Sequence, residues 1–129
     1  MKFIGIDYGQ SKIGLALGDS ESGVATPYGV VKNLGWNNAI DQLKGICEKE
    51  RIEKIVIGIP VNPEEMESDQ IKKIRDFISL LSEKTGLEVR EQDERFSTQE
   101  AQKLIEKGKS KDDDLSAMLI LQGYFDSLK

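Results

Sequence analysis

Residues 1–18 read MKFIGIDYGQSKIGLALG and predict two β-strands joined by a tight turn. Apolar residues fill the first strand, Gly9 marks the turn, and apolar residues alternate along a second strand that begins at Lys12. Asp7 falls where the first strand ends. An acid at the end of a buried strand, beside a glycine turn, suits cation binding better than core packing. The rest of the chain then has to supply partners for Asp7.

The composition predicts one soluble globular domain spanning residues 1–129. With 38% hydrophobic and 32% charged residues, a chain of this length buries about 65–70% of its unfolded surface around one core. No apolar run reaches the roughly 18 residues of a membrane span, and the first strand starts too early for a signal peptide. The lone Cys47 cannot form an internal disulfide, which fits a reducing cytoplasm. Because Cys47 falls on the apolar face of a predicted helix, we expect it in the core.

The absence of histidine limits the available chemistry. It excludes Ser-His-Asp and Cys-His catalysis and His-rich zinc sites. Hydrolysis would then depend on carboxylates and bound divalent metal. The net charge of −5 argues against a broad nucleic-acid-binding surface. A local basic patch is still available at Lys103, Lys107, Lys109 and Lys111.

Hydrophobic periodicity predicts an α/β fold. The predicted strands cover about 2–7, 12–18, 24–31, 54–59 and 87–92. The predicted helices cover 36–51, from the Asn62 cap to Thr85, from the capping box at 97–100 to 107, and 115–128. The order βββ-α-β-α-β-α-α indicates a mixed five-stranded sheet, three antiparallel strands followed by parallel additions, with helices on both faces.

Acidic residues stand at the ends of three predicted elements. Asp7 follows the first strand, Glu94 follows the fifth, and Asp112–Asp114 opens the last helix. If the first strand is central, strands one and five end at the same edge, and the last helix can bring its first turn there. At about 100° per residue, Asp113 and Asp114 both border the apolar stripe of this helix, so periodicity does not separate them.

Three carboxylates at one edge imply bound cations, raised pKa values or a wider spacing of the acids. Two charges about 5 Å apart at an effective dielectric near 20 repel by roughly 3 kcal/mol. Oxygen ligands favour Mg²⁺ or Mn²⁺ over zinc, and two such ions can activate a water and stabilise the leaving oxygen of a phosphodiester. A simpler alternative stays open: the acidic triplet suits a helix N-terminus, and Glu94 could pair with Arg95 or Arg90.

Four segments, in this order along the chain, closely resemble the YqgF/RuvX family of pre-16S rRNA nucleases, whose members are also described as Holliday junction resolvases. They are IGIDYG with IGLA (4–16), IGIPVN (57–62), DERFST (93–98) and Asp113 with SAMLILQGY (113–124). The resemblance covers essentially the whole chain. It implies a ribonuclease H-like fold.

The resemblance also implies a set of site residues. The family's acidic triad, catalytic and metal-binding, falls on Asp7, Glu94 and Asp113, with two Mg²⁺ or Mn²⁺ ions expected. Motif positions implied to contact substrate phosphates fall on Lys12, Asn62 and Arg95. The segment before Asp113 is shorter than is usual in the family, and Asp112 stands where an apolar residue is usual; both differences bear on substrate preference.

The function implied by the resemblance is metal-dependent trimming of the 5′ end of the small-subunit rRNA precursor, with ribosomal particles as partners. One alternative keeps the chemistry and changes the substrate to a DNA four-way junction, whose two coordinated cuts need a homodimer rather than a monomer. Another is a non-catalytic ribosome-assembly module. The glycine turn after Asp7 also resembles the first phosphate loop of sugar kinases, but those proteins close two such domains over a nucleotide and this chain has room for one.

Overall fold

A computed structural model describes residues 1–59, 68–93 and 113–128 of the chain, and five strands within these ranges form one mixed sheet. The strands are β1 (Lys2–Asp7), β2 (Lys12–Asp19), β3 (Val24–Lys32), β4 (Lys54–Ile59) and β5 (Glu88–Asp93). Their order is β3-β2-β1-β4-β5, so β1 is central. The first three strands are antiparallel, and β4 and β5 are added parallel to β1. The predicted sheet is confirmed.

Three helices cover the sheet within the described ranges: α1 (Trp36–Glu50), α2 (Ser68–Thr85) and α3 (Asp113–Ser127). The last helix was predicted to begin at Leu115, whereas α3 already includes Asp113, because acidic residues are favourable in a first helical turn. The predicted Asn62 cap and the helix over 97–107 lie outside the described residues. None of these helices combines the length and apolar character needed to cross a bilayer.

The two faces of the sheet carry separate cores. Ile4 and Ile6 of β1 pack towards α1 and α2, while Phe3 faces α3. Further members of the first core are Ile13, Leu15, Ile40, Leu43, Ile55, Ile57, Phe77 and Leu81. The second contains Ala16, Ala25, Val56, Ala117, Ile120, Leu121 and Phe125. Cys47 lies in the first core with 4% of its surface exposed, as predicted.

Glycine allows α3 to lie directly on β1 and β2. A Cβ built on Gly5 would be 2.7 Å from the Cβ of Leu121 and 2.9 Å from the carbonyl oxygen of Ala117. A Cβ on Gly18, which lies opposite the start of β1, would be 2.6 Å from the ring of Phe125. The C-terminal part of α3 therefore lies over the start of β1, and its N-terminus points to the carboxyl end of that strand.

An extra residue interrupts the pairing of β2 with β3. Ala16 pairs with Pro27 but Leu15 pairs with Gly29, so Tyr28 forms a β-bulge. Beyond this bulge every residue of β3 is displaced by one position relative to β2. Because side chains alternate between faces, the bulge decides which residues at the end of β3 share a face with those at the start of β2.

Candidate active site at the carboxyl edge of the sheet

Asp7 lies at the centre of the edge where the parallel strands end. It is the last residue of β1, is half-buried, and pairs with Gly14 of β2. Side chains alternate along a strand, so Asp7 lies on the same face as Phe3 and Gly5, the face covered by α3. The sequence prediction for the position of this acid is confirmed.

The parallel strands β4 and β5 end at the same edge. Ile6 pairs with Ile57 in β4, and Ile59 pairs with Asp93 in β5. Ligands of open α/β sheets bind beyond the carboxyl ends of such strands. Glu94, which directly follows Asp93 in the sequence, lies outside the described residues.

The first turn of α3 reaches this edge as well. Ala117 lies on Gly5, and Asp113 precedes it by one helical turn, about 6 Å towards the edge. Asp7 lies two strand residues beyond Gly5, a similar distance of about 7 Å in the same direction. Asp7 and the start of α3 therefore lie at the same level.

Contacts near the end of α3 define its two sides. Gln122 Oε1 accepts a hydrogen bond from the Ala25 amide at 3.0 Å, so this side of the helix faces β3. A Cβ built on Gly123 would lie 3.4 Å from Nε2 of Gln92, so the other side faces β5.

Helical rotation then separates the first two residues of α3. At about 100° per residue, position 114 lies about 80° from Gln122 around the axis, on the side of β2 and β3. Position 113 lies about 80° from Gly123, on the side of β4 and β5. The two neighbouring acids, which periodicity leaves equivalent, are about 100° apart, so Asp113 begins towards β4 and β5 and Asp114 towards β2 and β3.

The turn that follows Asp7 is held in place by the loop between β3 and α1. Asn33 Nδ2 donates to the carbonyl oxygen of Gly9 at 2.9 Å, and the Asn33 amide donates to that of Ser11 at 2.9 Å. Asn33 was not predicted as a site residue from the sequence. No local signal marks it, because its partners are backbone carbonyls of a distant turn.

Aromatic side chains support the same turn from the α1 side. Trp36 Nε1 donates to the Tyr8 hydroxyl at 2.9 Å. The Tyr8 ring packs against Phe77 of α2 with a centroid distance of 4.7 Å. The residue directly after Asp7 is thus anchored to both helices of this face.

Of the predicted substrate-binding residues, only Lys12 is described. It is exposed, begins β2, and lies at the same edge as Asp7. Asn62 and Arg95 lie outside the described residues, as does Glu94.

Among the described side chains no group of three potential metal ligands occurs, and of the predicted triad only Asp7 has a described side chain. Arg90, an alternative partner for Glu94, forms an ion pair with Glu88 at 2.9 Å.

The strand order, the acid at the end of the central strand and the helices on both faces define a ribonuclease H-like fold. Two solved structures share it. RuvC of T. thermophilus, in complex with a Holliday junction substrate, superposes with a TM-score of 0.67 at 14% identity, over 99% of this chain and 95% of the other. The fowlpox virus Holliday junction resolvase superposes with a TM-score of 0.59 at 14% identity, over 100% of both chains.

The chain belongs to the RuvX family, described as Holliday junction resolvases, whose model matches residues 1–127. A relative from Anaplasma marginale (strain St. Maries) is 34% identical over 99% of this chain and 86% of its own length. One from Clostridium kluyveri is 33% identical over 99% and 98%. Both are named "Putative pre-16S rRNA nuclease". The predicted family is confirmed, and the protein is a nuclease that binds nucleic acid.

Proposed function

We propose that this protein is a divalent-metal-dependent nuclease that shortens the 5′ end of pre-16S rRNA, acting as one domain over residues 1–129. The observation that carries the proposal is the packing of α3 on Gly5, because it brings the first turn of this helix to the edge where Asp7 ends β1. Asp7, Glu94 and Asp113 would be the catalytic metal ligands.

The donor set fits Mg²⁺ or Mn²⁺. The proposed ligands are carboxylates, and the chain contains no histidine that would favour zinc. When bound, two such ions would lower the pKa of a water and stabilise the leaving oxygen of a phosphodiester. The contacts of Asn33 and Tyr8 hold the turn after Asp7, so the backbone that carries this carboxylate is in place before substrate arrives.

The position of the helix favours Asp113 over Asp114 as the third ligand. Asp113 begins α3 on the side of β4 and β5, and Glu94 follows the last residue of β5. Asp114 begins on the side of β2 and β3. A ligand set drawn from β1, the end of β5 and α3 is therefore more compact with Asp113.

Three further residues are proposed to hold the substrate. Lys12 is exposed beside Asp7, where its ammonium group can contact a phosphate. Asn62 and Arg95 occupy family motif positions that follow β4 and β5 in the sequence. Their proposed role is likewise to bind the phosphate backbone.

The relatives favour ribosomal RNA as the substrate. Those named for pre-16S rRNA are 33–34% identical over nearly the full chain, whereas the junction-bound structure is 14% identical. Cytoplasmic ribosome precursors are then the proposed partners, and a monomer suffices. Cleavage of a DNA four-way junction is the second candidate, which the family description favours and which needs a homodimer.

Cleavage of end-labelled RNA spanning the 5′ precursor region, with Mg²⁺ or Mn²⁺, tests the proposal against a DNA four-way junction. Asp7→Asn should abolish cutting, while Asp41→Asn, which removes an exposed acid of α1, should not. Cutting of the junction alone would replace the proposed substrate. Silence of the wild-type protein on both substrates would favour a non-catalytic role in ribosome assembly, and undiminished cutting by Asp7→Asn would refute the site.

A further inference from the structure

Two lysines lie side by side on the α3 face of the sheet, next to Asp7. Lys12 of β2 and Lys32 of β3 are directly paired in the antiparallel register, and both are exposed. The neighbouring pair, Gly14 with Val30, lies on the same face, and Gly14 is in turn opposite Asp7. Strand geometry places the Cα atom of Lys12 roughly 8 Å from that of Asp7.

The lysine pair does not stabilise the sheet. Like charges directly opposite on neighbouring strands repel. Neither ammonium group has an ion-pair partner within residues 1–59, 68–93 and 113–128, although Asp114 begins α3 on the same side. An anion bound between the two lysines would relieve the repulsion.

The bulge at Tyr28 creates this pair. Before the bulge, the register pairs Ala16 with Pro27, and continued without interruption it would set Val31 opposite Lys12. The extra residue moves Lys32 into that position instead and turns it to the α3 face. Pairing continues after the bulge, so the bulge does not simply end the strand pair but places a second cation beside Lys12.

The two lysines and their neighbour Val30 are exposed side chains. Further down the same face, Ala16 and Ala25 are buried beneath α3. Val30, by contrast, has 45% of its surface exposed beside the lysines. A polar rim with an apolar residue in it suits a sugar-phosphate backbone, which offers both charge and apolar sugar surface.

We propose that Lys12 and Lys32 together bind adjacent backbone phosphates and direct the substrate strand across β2 and β3 to the scissile position at Asp7. This inference rests on the proposed nuclease function and adds Lys32 to it as a positioning residue. The recognised chemistry is the phosphodiester backbone, so the pair should act on RNA and DNA alike.

Equilibrium binding with Ca²⁺ in place of Mg²⁺ tests the inference through fluorescence anisotropy of a labelled single-stranded RNA and a DNA four-way junction. Lys32→Gln should raise Kd roughly two- to fivefold, the range of an exposed charge pair. The association constant should also depend less steeply on salt: the negative slope of its logarithm against the logarithm of salt concentration should shrink by about 0.7 for single strands and 0.9 for duplex. Lys49→Gln, which removes an exposed lysine at the opposite edge, is the matched control and should change neither value.

Stability separates this role from a structural one. Because Lys32→Gln removes a like-charge contact, its Tm should be unchanged or higher while its affinity falls. If Lys32→Gln binds with the affinity and salt dependence of the wild-type protein, the inference is wrong and the nuclease proposal is unaffected. The same holds if the variant has a lower Tm but unchanged binding. A wild-type protein that binds neither probe would refute both proposals together.

Discussion

Replacing Gly5 with alanine should separate α3 from β1 and misplace the start of the helix. The added Cβ would lie 2.7 Å from the Leu121 Cβ and 2.9 Å from the Ala117 oxygen. Restoring ordinary contact requires α3 to retreat by about 0.7 Å. Because one of these atoms is backbone, a side-chain rotation cannot relieve the overlap. Overpacking of this kind costs about 1–3 kcal/mol, or roughly 3–12 °C in Tm for a domain of this size.

The effect on activity should exceed the effect on stability. Asp113 begins the same helix only one turn from the overlap, and a displacement near 1 Å at a catalytic group can cost about 100-fold in rate. Gly5→Ala should therefore lower kcat about 10- to 100-fold when measured well below its Tm. Thermal melting and single-turnover cleavage of the RNA substrate measure the two quantities on one preparation.

Gly18→Ala is the matched control. Its Cβ would be 2.6 Å from the ring of Phe125 and 2.8 Å from the carbonyl oxygen of Val24, so the overpacking is similar. Phe125, however, lies about 18 Å along α3 from Asp113. Gly18→Ala should lose stability but keep most of its kcat. Equal kcat values for the two variants, or full activity of Gly5→Ala, would mean that the distance between α3 and β1 does not determine the geometry of the active site.

Three shorter predictions follow from other contacts. Asp113→Asn should abolish cleavage, whereas Asp114→Asn should retain it. Asp114→Asn should also bind RNA more tightly, because it removes a negative charge on the side of α3 that faces Lys12 and Lys32. Equal losses of cleavage in the two variants would contradict the assignment of Asp113 as the metal ligand. Burial raises the pKa of the Cys47 thiol to about 11, with the charge of Glu48 adding to the effect. Iodoacetamide at pH 8 should therefore label this cysteine far more slowly in native than in urea-unfolded protein. Urea titrations should give a free energy of unfolding that falls as pH rises above about 9, because the thiol ionises at lower pH in the unfolded chain than in the folded one. Tyr8→Phe should cost about 1 kcal/mol by removing the acceptor of the Trp36 indole N–H, and a shift in the emission of this sole tryptophan should report the change.

Hydrophobic periodicity was sufficient to predict most of the fold. The strands at 2–7 and 54–59 match the predicted bounds, because alternating or fully apolar runs have few alternatives. The position of Asp7 followed from the same pattern. Its partner on α3 did not, since Asp113 and Asp114 are equally close to the apolar stripe and only the contacts of Gln122 and Gly123 orient the helix.

The lysine pair could not be predicted, and the reason is the register. Counting back from the short turn between β2 and β3 sets Val31 opposite Lys12, which leaves Lys32 on the other face. The bulge at Tyr28 changes that assignment by one residue. Pro27 and Gly29 flank the bulge and are compatible with it, but neither residue identifies its position, because both also occur in uninterrupted edge strands.

The acidic balance of the chain is consistent with nucleic-acid binding once the site is considered. The net charge of −5 includes the three proposed metal ligands, and two divalent ions would reduce its magnitude to about 1. Part of the electrostatic attraction for phosphate would then come from the ions and the rest from local cations such as Lys12 and Lys32. Affinity for RNA should accordingly rise steeply with Ca²⁺ in the wild-type protein, and much less in Asp7→Asn. A metal-independent affinity would mean instead that the described basic residues hold the substrate without help from the acidic edge.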